Sequence, residues 1–381
     1  MSSSPVLGPM LWMHTLALLS DELEATAATC RLLAELVEDE DLWRRFCLRE
    51  TIGRLLCFRG SWRSTAAAQS GSTAVGAARL APPCLPPALH LPSLPELSWN
   101  SLSNSEFLNN FDRPRQPFVI RNALAQVMST PQDWTCDRLV QRYADREFHC
   151  VAQEPGTGPH RHVQMTLQDY CEYSACHSDL EPLYLFDGEL PPELLETVKA
   201  PKFLGKDYFE ALQGTRFEER RWLAIGGPQS GTRFHVDPFE TSAWNLVTEG
   251  QKRWVLFPPT ASPPLLDWRH DGSFVAPGAA MWFQMLDEEA KELCSREGGL
   301  QVDQGPGDFL FVPRGWWHCV ANLELTVAFT QNVITIANSS SAAAALEQLD
   351  SGVAKVLREA IVEDVNLLGQ KSSGYTSTSE S

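Results

Sequence analysis

The stretch TRFHVDPFETSAWNLVTEGQKRWVLFPP, residues 232–259, decides the fold of this 381-residue chain. Short apolar runs alternate there with polar residues, and Gly and Pro interrupt them, which is the pattern of β-strands joined by turns. His235 and Asp237 stand two residues apart in the first run. Because alternate residues of a strand point to the same face, the pattern predicts a strand that carries two donor groups into one interior.

Other apolar runs of the same kind lie before and after this stretch, and turns that contain Gly or Pro separate them. They are PFVIRNAL (117–124), RWLAIGG (221–227), DFLFVPRGWWHCV (308–320) and LTVAFTQNVITI (325–336). Several short strands at this spacing predict a mainly β fold, either an antiparallel barrel or a double-sheet jelly roll. The segments 167–182 and 191–212 have a helical composition, so we expect helical decoration around the β core.

A metal site needs a third ligand, and His318 is the best candidate because it lies in a later β-like run punctuated by glycine. Two imidazoles and one carboxylate form the facial ligand set of non-haem Fe(II) oxygenases, whereas zinc more often has a closed tetrahedral set. The sequence therefore predicts iron at His235, Asp237 and His318. His160 and His162 are also two apart, but their Gly/Pro-rich surroundings lack a third ligand and predict an exposed loop.

Lys252 lies inside the strand-like run QKRWVLF, where a buried ammonium group is costly unless it meets an anion. At this point the motifs become specific. The stretches GGPQSGTRFHVDPFETSAWNLVTEGQKRWVLFPP, GDFLFVPRGWWHCVANLELTVAFTQN and EPLYLFDGELPP resemble the JmjC oxygenases, whose core is a cupin-like double-stranded β-helix. Within that family they are most similar to the branch of the bifunctional arginine demethylase and lysyl-hydroxylase. The resemblance covers about residues 95–340.

The resemblance implies roles for eight residues of this sequence. Fe(II) is expected at His235, Asp237 and His318, and 2-oxoglutarate is expected at Asn245, Lys252, Thr330, Thr232 and Tyr184. Lys252 corresponds to the salt-bridge partner of the distal carboxylate of 2-oxoglutarate, while Thr232 and Tyr184 correspond to residues that line the same pocket. We expect Trp244, Trp254, Trp316 and Trp317 to pack in the core, although one of the last two could line a substrate groove.

The implied reaction is the hydroxylation of a protein side chain with Fe(II), 2-oxoglutarate and dioxygen, releasing succinate and CO2. Lysyl hydroxylation and N-methyl-arginine demethylation are the two chemistries of that branch, and the residues do not choose between them. Two alternatives stay open. The ending EDEDLWRRFCLRE of residues 8–50 resembles the end of an F-box, so the chain could be an F-box substrate adaptor of a ubiquitin ligase that keeps a JmjC-like binding domain without chemistry. A cupin-like metal protein without 2-oxoglutarate would not need Lys252.

Charge and composition restrict the partners of the chain. With 31 basic and 48 acidic residues the net charge is -17, which argues against direct nucleic-acid binding or attraction to anionic membranes and favours a basic protein or peptide substrate. The ten cysteines are scattered without paired spacing, and no apolar run has the length of a membrane span. These features predict an intracellular protein, nuclear or cytoplasmic.

The sequence predicts a small module before the β domain. Residues 8–50 have helical periodicity, and the ending EDEDLWRRFCLRE resembles the end of an F-box, which would bind a Skp-type adaptor. The alternative is a helical cap that packs on the main domain. Composition further predicts an Ala/Pro-rich linker over 64–94, the oxygenase domain over 95–340, a C-terminal helix over 341–368 and a disordered tail over 369–381.

Overall fold

The computed structural model describes residues 39–50, 55–69, 88–152, 161–269, 271 and 273–374. The helices of this part are α1 Glu40–Glu50, α2 Trp62–Gln69, α3 Asn104–Phe107, α4 Leu124–Val127, α5 Cys136–Tyr143, α6 Leu167–Cys176, α7 Pro192–Leu195, α8 Ala279–Met285, α9 Glu288–Arg296, α10 Ser339–Glu347 and α11 Ser351–Gly374. Short 3-10 or π turns lie between several of them. Within these ranges, none of the helices is both long and apolar enough to span a bilayer.

The strands outnumber the long helices, and their bounds are as follows. They are β1 Glu96–Leu97, β2 Phe118–Ile120, β3 Glu147–Ala152, β4 Arg161–Thr166, β5 Tyr184–Asp187, β6 Arg221–Gly226, β7 Gly231–His235, β8 Ser242–Glu249, β9 Lys252–Phe257, β10 Asp267–Trp268, β11 Phe274–Val275, β12 Leu300–Gln304, β13 Phe309–Val312, β14 Trp317–Asn322 and β15 Thr326–Val333. The predicted mainly β fold with helical decoration is confirmed.

The strands form a nine-stranded sheet in the order β1-β2-β13-β8-β15-β6-β5-β3-β4 and a four-stranded sheet in the order β12-β9-β14-β7. All described pairings in both sheets are antiparallel except β1 with β2. From β6 to β9 and from β12 to β15 the chain alternates between the sheets, which is how a jelly roll closes. The sequence order thus builds a double-stranded β-helix.

Burial explains why the central strands read as nearly continuous apolar runs. Every residue of β9 and β13 is buried, and so is every residue of β8 except the last. Side chains from both sheets meet in a cluster that includes Trp254, Leu256, Leu310, Val312 and Val320. Each such side chain contributes about 1.5–3 kcal/mol on full burial, so the space between the sheets is fixed tightly.

The described N-terminal residues pack on the β domain. Trp43 is 7% exposed, and Arg44 forms an ion pair with Asp179 at 3.2 Å. Leu56 donates its backbone N–H to Gln164 of β4 at 2.8 Å, which covers an edge of the large sheet. In the residues described, this segment behaves as a cap on the domain. Most of the module predicted over 8–50 lies outside them, so the F-box expectation stays a prediction.

Two boundaries differ from the predicted ones. The linker expected over 64–94 begins inside α2, where Thr65, Ala66 and Ala67 are buried because α2 packs against α1. Its end is also attached, since Ser93 bridges to Gln301 of β12. The intervening residues 70–87 lie outside the described ranges. Composition alone misses such packing, because an Ala-rich run resembles a linker unless a partner helix covers it.

The C-terminal helix expected over 341–368 is two helices, α10 and α11, rather than one. Asp350 separates them, because its side chain accepts the backbone N–H groups of Gly352 and Val353 at 3.0 and 3.2 Å and so starts a new helix. The second helix runs to Gly374, into the segment expected as a disordered tail. Residues 375–381 lie outside the described ranges.

Candidate metal and co-substrate site

One cavity of about 910 Å³ contains all eight residues that the sequence singled out. His235 ends β7 and His318 lies on β14, and the antiparallel register places them directly opposite each other. Asp237 follows β7 at the start of a 3-10 turn. Donor atoms of the three residues lie within 4.8 Å of one another. Pairing of two distant segments has therefore produced one compact group of donors.

The two imidazoles are prepared to bind a metal ion. His235 Nδ1 lies 2.8 Å from the carbonyl oxygen of Arg233, and His318 Nδ1 lies 3.0 Å from that of Trp316. A carbonyl can only accept, so each Nδ1 carries the proton and each Nε2 keeps its lone pair. Burial, aided for His235 by the neighbouring His318, lowers both pKa values to about 4. The rings are therefore neutral at pH 7, as metal ligation requires.

Asp237 supplies the single carboxylate of the group. Its Oδ2 lies 4.0 Å from His318 Nε2, and Asn332 Nδ2 donates to its Oδ1 at 3.4 Å. Burial raises the pKa of Asp237, which means that the site holds a carboxylate without a full counter-charge. A divalent cation bound there would supply that charge. The donor set of this chain therefore fits a divalent metal ion.

Lys252 is the second unusual group, because its ammonium is buried without an acidic partner. The residue is 1% exposed, its Nζ donates to the Tyr184 hydroxyl at 2.8 Å, and no carboxylate within the described chain pairs with it. Burial lowers the pKa of Lys252 to about 7. A small anion that enters the cavity would restore the favourable charge pairing, which is the role expected for the distal carboxylate of 2-oxoglutarate.

The remaining expected residues surround the same space. Asn245 on β8 and Thr330 on β15 are cross-strand partners, so they project from adjacent strands of the large sheet. The Asn245 Oδ1 atom is buried and has no hydrogen-bond partner among the described atoms, while Thr330 Oγ1 donates to the carbonyl of Trp244 at 3.1 Å. Thr232 lines the cavity from β7. Asn245 and the buried Lys252 therefore line the same cavity, with polar groups that a polar ligand could contact.

Some residues at the site were not expected there. Trp254 lines the cavity and stacks on His318 at 6.0 Å, and Trp244 lines it as well, whereas both were expected only as core. Trp316 and Trp317 are not among its lining residues. His162 was expected in a loop but lies on β4 and reaches the cavity rim, while His160 is outside the described residues.

Asn332 is the missed residue with the clearest signal. It lies two residues after Thr330 on β15, so the same strand alternation that selects His235 and Asp237 also directs Asn332 into the interior. Its amide donates to Asp237 and to Thr241 Oγ1, the latter at 3.0 Å. It orients the carboxylate toward the imidazoles.

The strand that ends in His235 also has an ion-pair partner, Glu181, that is not among the residues lining the cavity. Arg233 pairs with Glu181 at 2.8 Å, and Glu181 also accepts the backbone N–H of Gly278 at 3.1 Å. The carbonyl of Glu181 accepts from Arg44 of α1 at 2.9 Å. Glu181 therefore connects Arg44 of the N-terminal cap to Arg233 of β7, the strand that ends in His235.

Comparisons with known proteins agree with this geometry. The bifunctional arginine demethylase and lysyl-hydroxylase psr-1 of Caenorhabditis elegans is 33% identical over 254 residues, 65% of this chain and 62% of that protein. The lysine-specific demethylase JMJ21 of Arabidopsis thaliana is 32% identical over 336 residues, 80% of this chain and 34% of that protein. The 2-oxoglutarate and iron-dependent oxygenase JMJD4 of Homo sapiens is 28% identical over 253 residues, 61% of this chain and 59% of that protein.

The chain spans less than two thirds of the length of each of these relatives. A family model described as the cupin-like domain matches residues 104–335, which contain both sheets except β1. The resemblance drawn from the motifs is thereby confirmed, and the chain belongs to the cupin-like family in its JmjC form.

Proposed function

We propose that this protein is an Fe(II)- and 2-oxoglutarate-dependent dioxygenase that hydroxylates a protein side chain. One oxygen atom of O2 enters a substrate C–H bond and the other enters succinate, so substrate, 2-oxoglutarate and O2 give hydroxylated product, succinate and CO2. One observation carries the proposal: two neutral imidazoles, one carboxylate and a buried ammonium group without an acidic partner among the described residues share one cavity. A metal site alone would not need the ammonium.

Relatives support both halves of the proposal. JMJD4 is named as a 2-oxoglutarate and iron-dependent oxygenase, which fits the donor set and Lys252. The protein psr-1 is named as a bifunctional arginine demethylase and lysyl-hydroxylase, which fits a protein substrate. For a methylated arginine, hydroxylation of the N-methyl carbon gives a hydroxymethyl group that leaves as formaldehyde. Hydroxylation of a lysine side chain gives a stable alcohol.

The residues of this chain would divide the work as follows. His235, Asp237 and His318 hold the iron, which when bound supplies the activation of dioxygen. Lys252 binds the distal carboxylate of 2-oxoglutarate, and Tyr184 orients the ammonium group through its hydroxyl. β9 is buried along its whole length and β8 is buried except at its last residue, so these walls limit contact with water and the charge pairing is stronger than at a surface.

Asn245, Thr330 and Thr232 complete the proposed co-substrate pocket. Asn245 lines this space with a side-chain amide whose Nδ2 can donate to an oxygen of a bound keto acid, and Thr330 and Thr232 offer hydroxyl groups from neighbouring walls. Trp254 lies against His318 and keeps the metal end apolar.

The substrate class follows from charge and from the relatives. The net charge of -17 favours a basic peptide, and lysine or N-methyl-arginine is then the reacting residue. The test is succinate formation from 2-oxoglutarate by the purified protein with Fe(II) and ascorbate, with and without a pool of basic peptides. We expect turnover in the wild type, its loss in His235→Ala, and a change in peptide mass, either the gain of one oxygen on hydroxylation or the decrease that follows loss of a methyl group.

The matched control is His90→Ala, a histidine outside the cavity. Turnover that survives in His235→Ala, or wild-type protein that binds neither metal nor 2-oxoglutarate, would contradict the proposal. Binding of both without peptide turnover would instead favour the adaptor alternative.

A Skp-type adaptor is a further proposed partner through residues 8–50. The support is the F-box-like sequence, and the described end of that segment already packs on the domain through Trp43 and Arg44. Trp43→Ala would therefore perturb the fold rather than an exposed interface. The sharper test is direct binding of a purified Skp-type adaptor to the full chain, and no binding at micromolar concentration would remove this partner.

A further inference from the structure

The outer end of the cavity is built from residues that none of the proposed roles uses. His162 on β4, Phe186 on β5, Trp222 on β6 and Glu219 just before β6 line its rim. The same His162, Phe186 and Glu219 also border a second cavity of about 670 Å³. The rim therefore joins the space that contains the donor triad to a neighbouring space on the same surface.

Glu219 is a carboxylate held in place at this junction. Its Oε1 accepts a hydrogen bond from Trp222 Nε1 at 2.7 Å. Gly188 lies against the same side chain, and a Cβ atom at that position would overlap Oε1. Within the described chain, no Lys, Arg or His forms an ion pair with Glu219. The carboxylate is thus oriented by an indole and a glycine, and its charge is not neutralised.

Aromatic rings extend from this carboxylate toward the co-substrate end. Phe186 and Trp222 stack with centroids 5.5 Å apart and planes at 23°, and Tyr184 lies 5.8 Å from Phe186. Tyr184 in turn accepts from Lys252. Aromatic faces attract cations, and a carboxylate gives a cation directed acceptors. The combination is a cation site at a cavity rim.

The arginines that line the two cavities do not neutralise Glu219, and most of them have other partners. Arg233 also lines the cavity but pairs with Glu181 at 2.8 Å. Arg220 borders the second cavity and lies 3.4 Å from Asp207, and the Nε of Arg221 donates to Gln331. Arg269, beside the β10–β11 hairpin, is exposed and lines the first cavity. An acidic ligand that preferred Arg269 is the rival occupant.

We propose that Glu219, together with Phe186 and Trp222, recognises a cationic side chain of the peptide substrate, lysine ammonium or a guanidinium group. This inference rests on the proposed function. The cation is either the reacting residue or a basic neighbour that occupies the second cavity, where Asp187, Glu189 and Glu218 add further acidic groups. In both cases Glu219 sets substrate specificity and takes no part in binding metal or 2-oxoglutarate.

The test is calorimetric binding of five capped peptides to the metal-free protein, so the readout does not depend on activity. A Gly/Ala/Ser host carries one Lys, one N-methyl-arginine, one Lys beside one Arg, one norleucine or one Glu. We expect Glu219→Gln to weaken binding of the cationic peptides by about 10-fold, because a charge-assisted hydrogen bond is lost. Glu196→Gln, the same change at an exposed site outside both cavities, should leave every affinity unchanged.

The peptides separate the two positions of the cation. An effect on all three cationic peptides assigns Glu219 to the reacting residue, and an effect only on the Lys-Arg peptide assigns it to the neighbour. Equal affinities of wild type and Glu219→Gln for all of them would overturn the inference, as would preference of the wild type for the Glu peptide. Trp222→Phe, which removes the indole donor, should reproduce part of the loss.

A parallel measurement separates this inference from the proposed function. The same preparations are tested for 2-oxoglutarate binding in the presence of Mn(II), to which Glu219 does not contribute. If that binding is normal and Glu219→Gln changes nothing, only the specificity inference fails. If 2-oxoglutarate does not bind to the wild type, the proposed function fails first.

Discussion

The two ends of the cavity differ in how their polar groups are held. At the inner end, His235 and His318 face each other across a strand ladder and Lys252 is buried within another strand. At the outer end, Glu219 is exposed and depends on one indole and one glycine. The inner groups share the rigidity of the sheets, and the ammonium group of Lys252 has no acidic partner among the described residues. The residues proposed to bind metal and co-substrate thus lie on or next to paired strands, whereas the residue proposed to select the substrate lies at the cavity rim.

The largest expected effect is at the inner end, on Asp237. Asp237→Ala removes the only anionic donor of the triad, so affinity for Mn(II) or Fe(II) should fall by more than the roughly 100-fold typical of indirect ligand support. Burial raises the pKa of Asp237, and the charged side chain therefore destabilises the metal-free fold at pH 7. The thermal midpoint without metal should not decrease.

Calorimetric metal titration and a thermal melt check this prediction, with Asp145→Ala at an exposed position as the control. Metal binding that survives in Asp237→Ala would break the comparison, because the inner end would then not be the metal end.

Next in size is Lys252→Met, which keeps the side-chain volume but removes the charge. Loss of one partner of a buried charge pair costs about 2 kcal/mol or more, so 2-oxoglutarate should bind at least about 30-fold more weakly. Peptide binding should not change. Calorimetry with Mn(II) present measures both, and Lys355→Met on the exposed face of α11 is the control. Unchanged 2-oxoglutarate affinity would favour a cupin-like metal protein without this co-substrate.

A smaller effect is expected from pH. The pKa of Lys252 is about 7 before ligand binds, so binding of a carboxylate takes up a proton above pH 7, and affinity for 2-oxoglutarate should fall by up to about 10-fold per pH unit. The folded pKa lies below the usual 10.5, so the metal-free protein gains stability from this group as pH rises from 7 to 10.5. A pH-independent affinity, or the same slope in Lys252→Met, would contradict this cause.

The smallest expected effect is at the outer end. Gly188→Ala introduces a Cβ that must displace the flexible Glu219 side chain, so cationic peptides should bind about 3- to 10-fold more weakly while 2-oxoglutarate affinity and stability stay the same. Gly305→Ala is the control, since a Cβ there meets only ordinary contacts. If Gly188→Ala weakened 2-oxoglutarate binding instead, the two ends would not be independent.

Much of the inner end could be predicted from the sequence, because its signal is local. The period of two selects Asp237 together with His235, although the strand ends at His235 and Asp237 starts the following 3-10 turn. Lys252 stands out as a charge inside an apolar strand. Asn332 follows from the same alternation, because it lies two residues after Thr330 on one strand. It could have been selected once Thr330 was assigned to the interior face. Residues that lie on a strand with a known face are thus within reach of sequence reasoning.

The outer end and the N-terminal cap could not be predicted, because their contacts join segments far apart. The side chain of Glu219 is oriented partly by its contact with Gly188, which lies 31 positions earlier in the chain. Arg44 pairs with Asp179, which lies 135 positions later. The Ala-rich α2 is buried because it packs against α1 and because its Trp62 contacts Tyr173 and donates to Asp179. Hydrophobic periodicity records that a face is buried and does not record what buries it.

Sequence alone therefore predicts a mainly β chain with a His-x-Asp pair in a β-like run, a distant histidine and a lysine inside an apolar strand, since strand period and side-chain chemistry are local properties. Only the folded chain places His318 opposite His235 and makes Asn245 and Thr330 cross-strand partners. It also brings the carboxylate of Glu219 to the rim of the cavity. Those outcomes depend on sheet register and packing, which are set by the whole core at once.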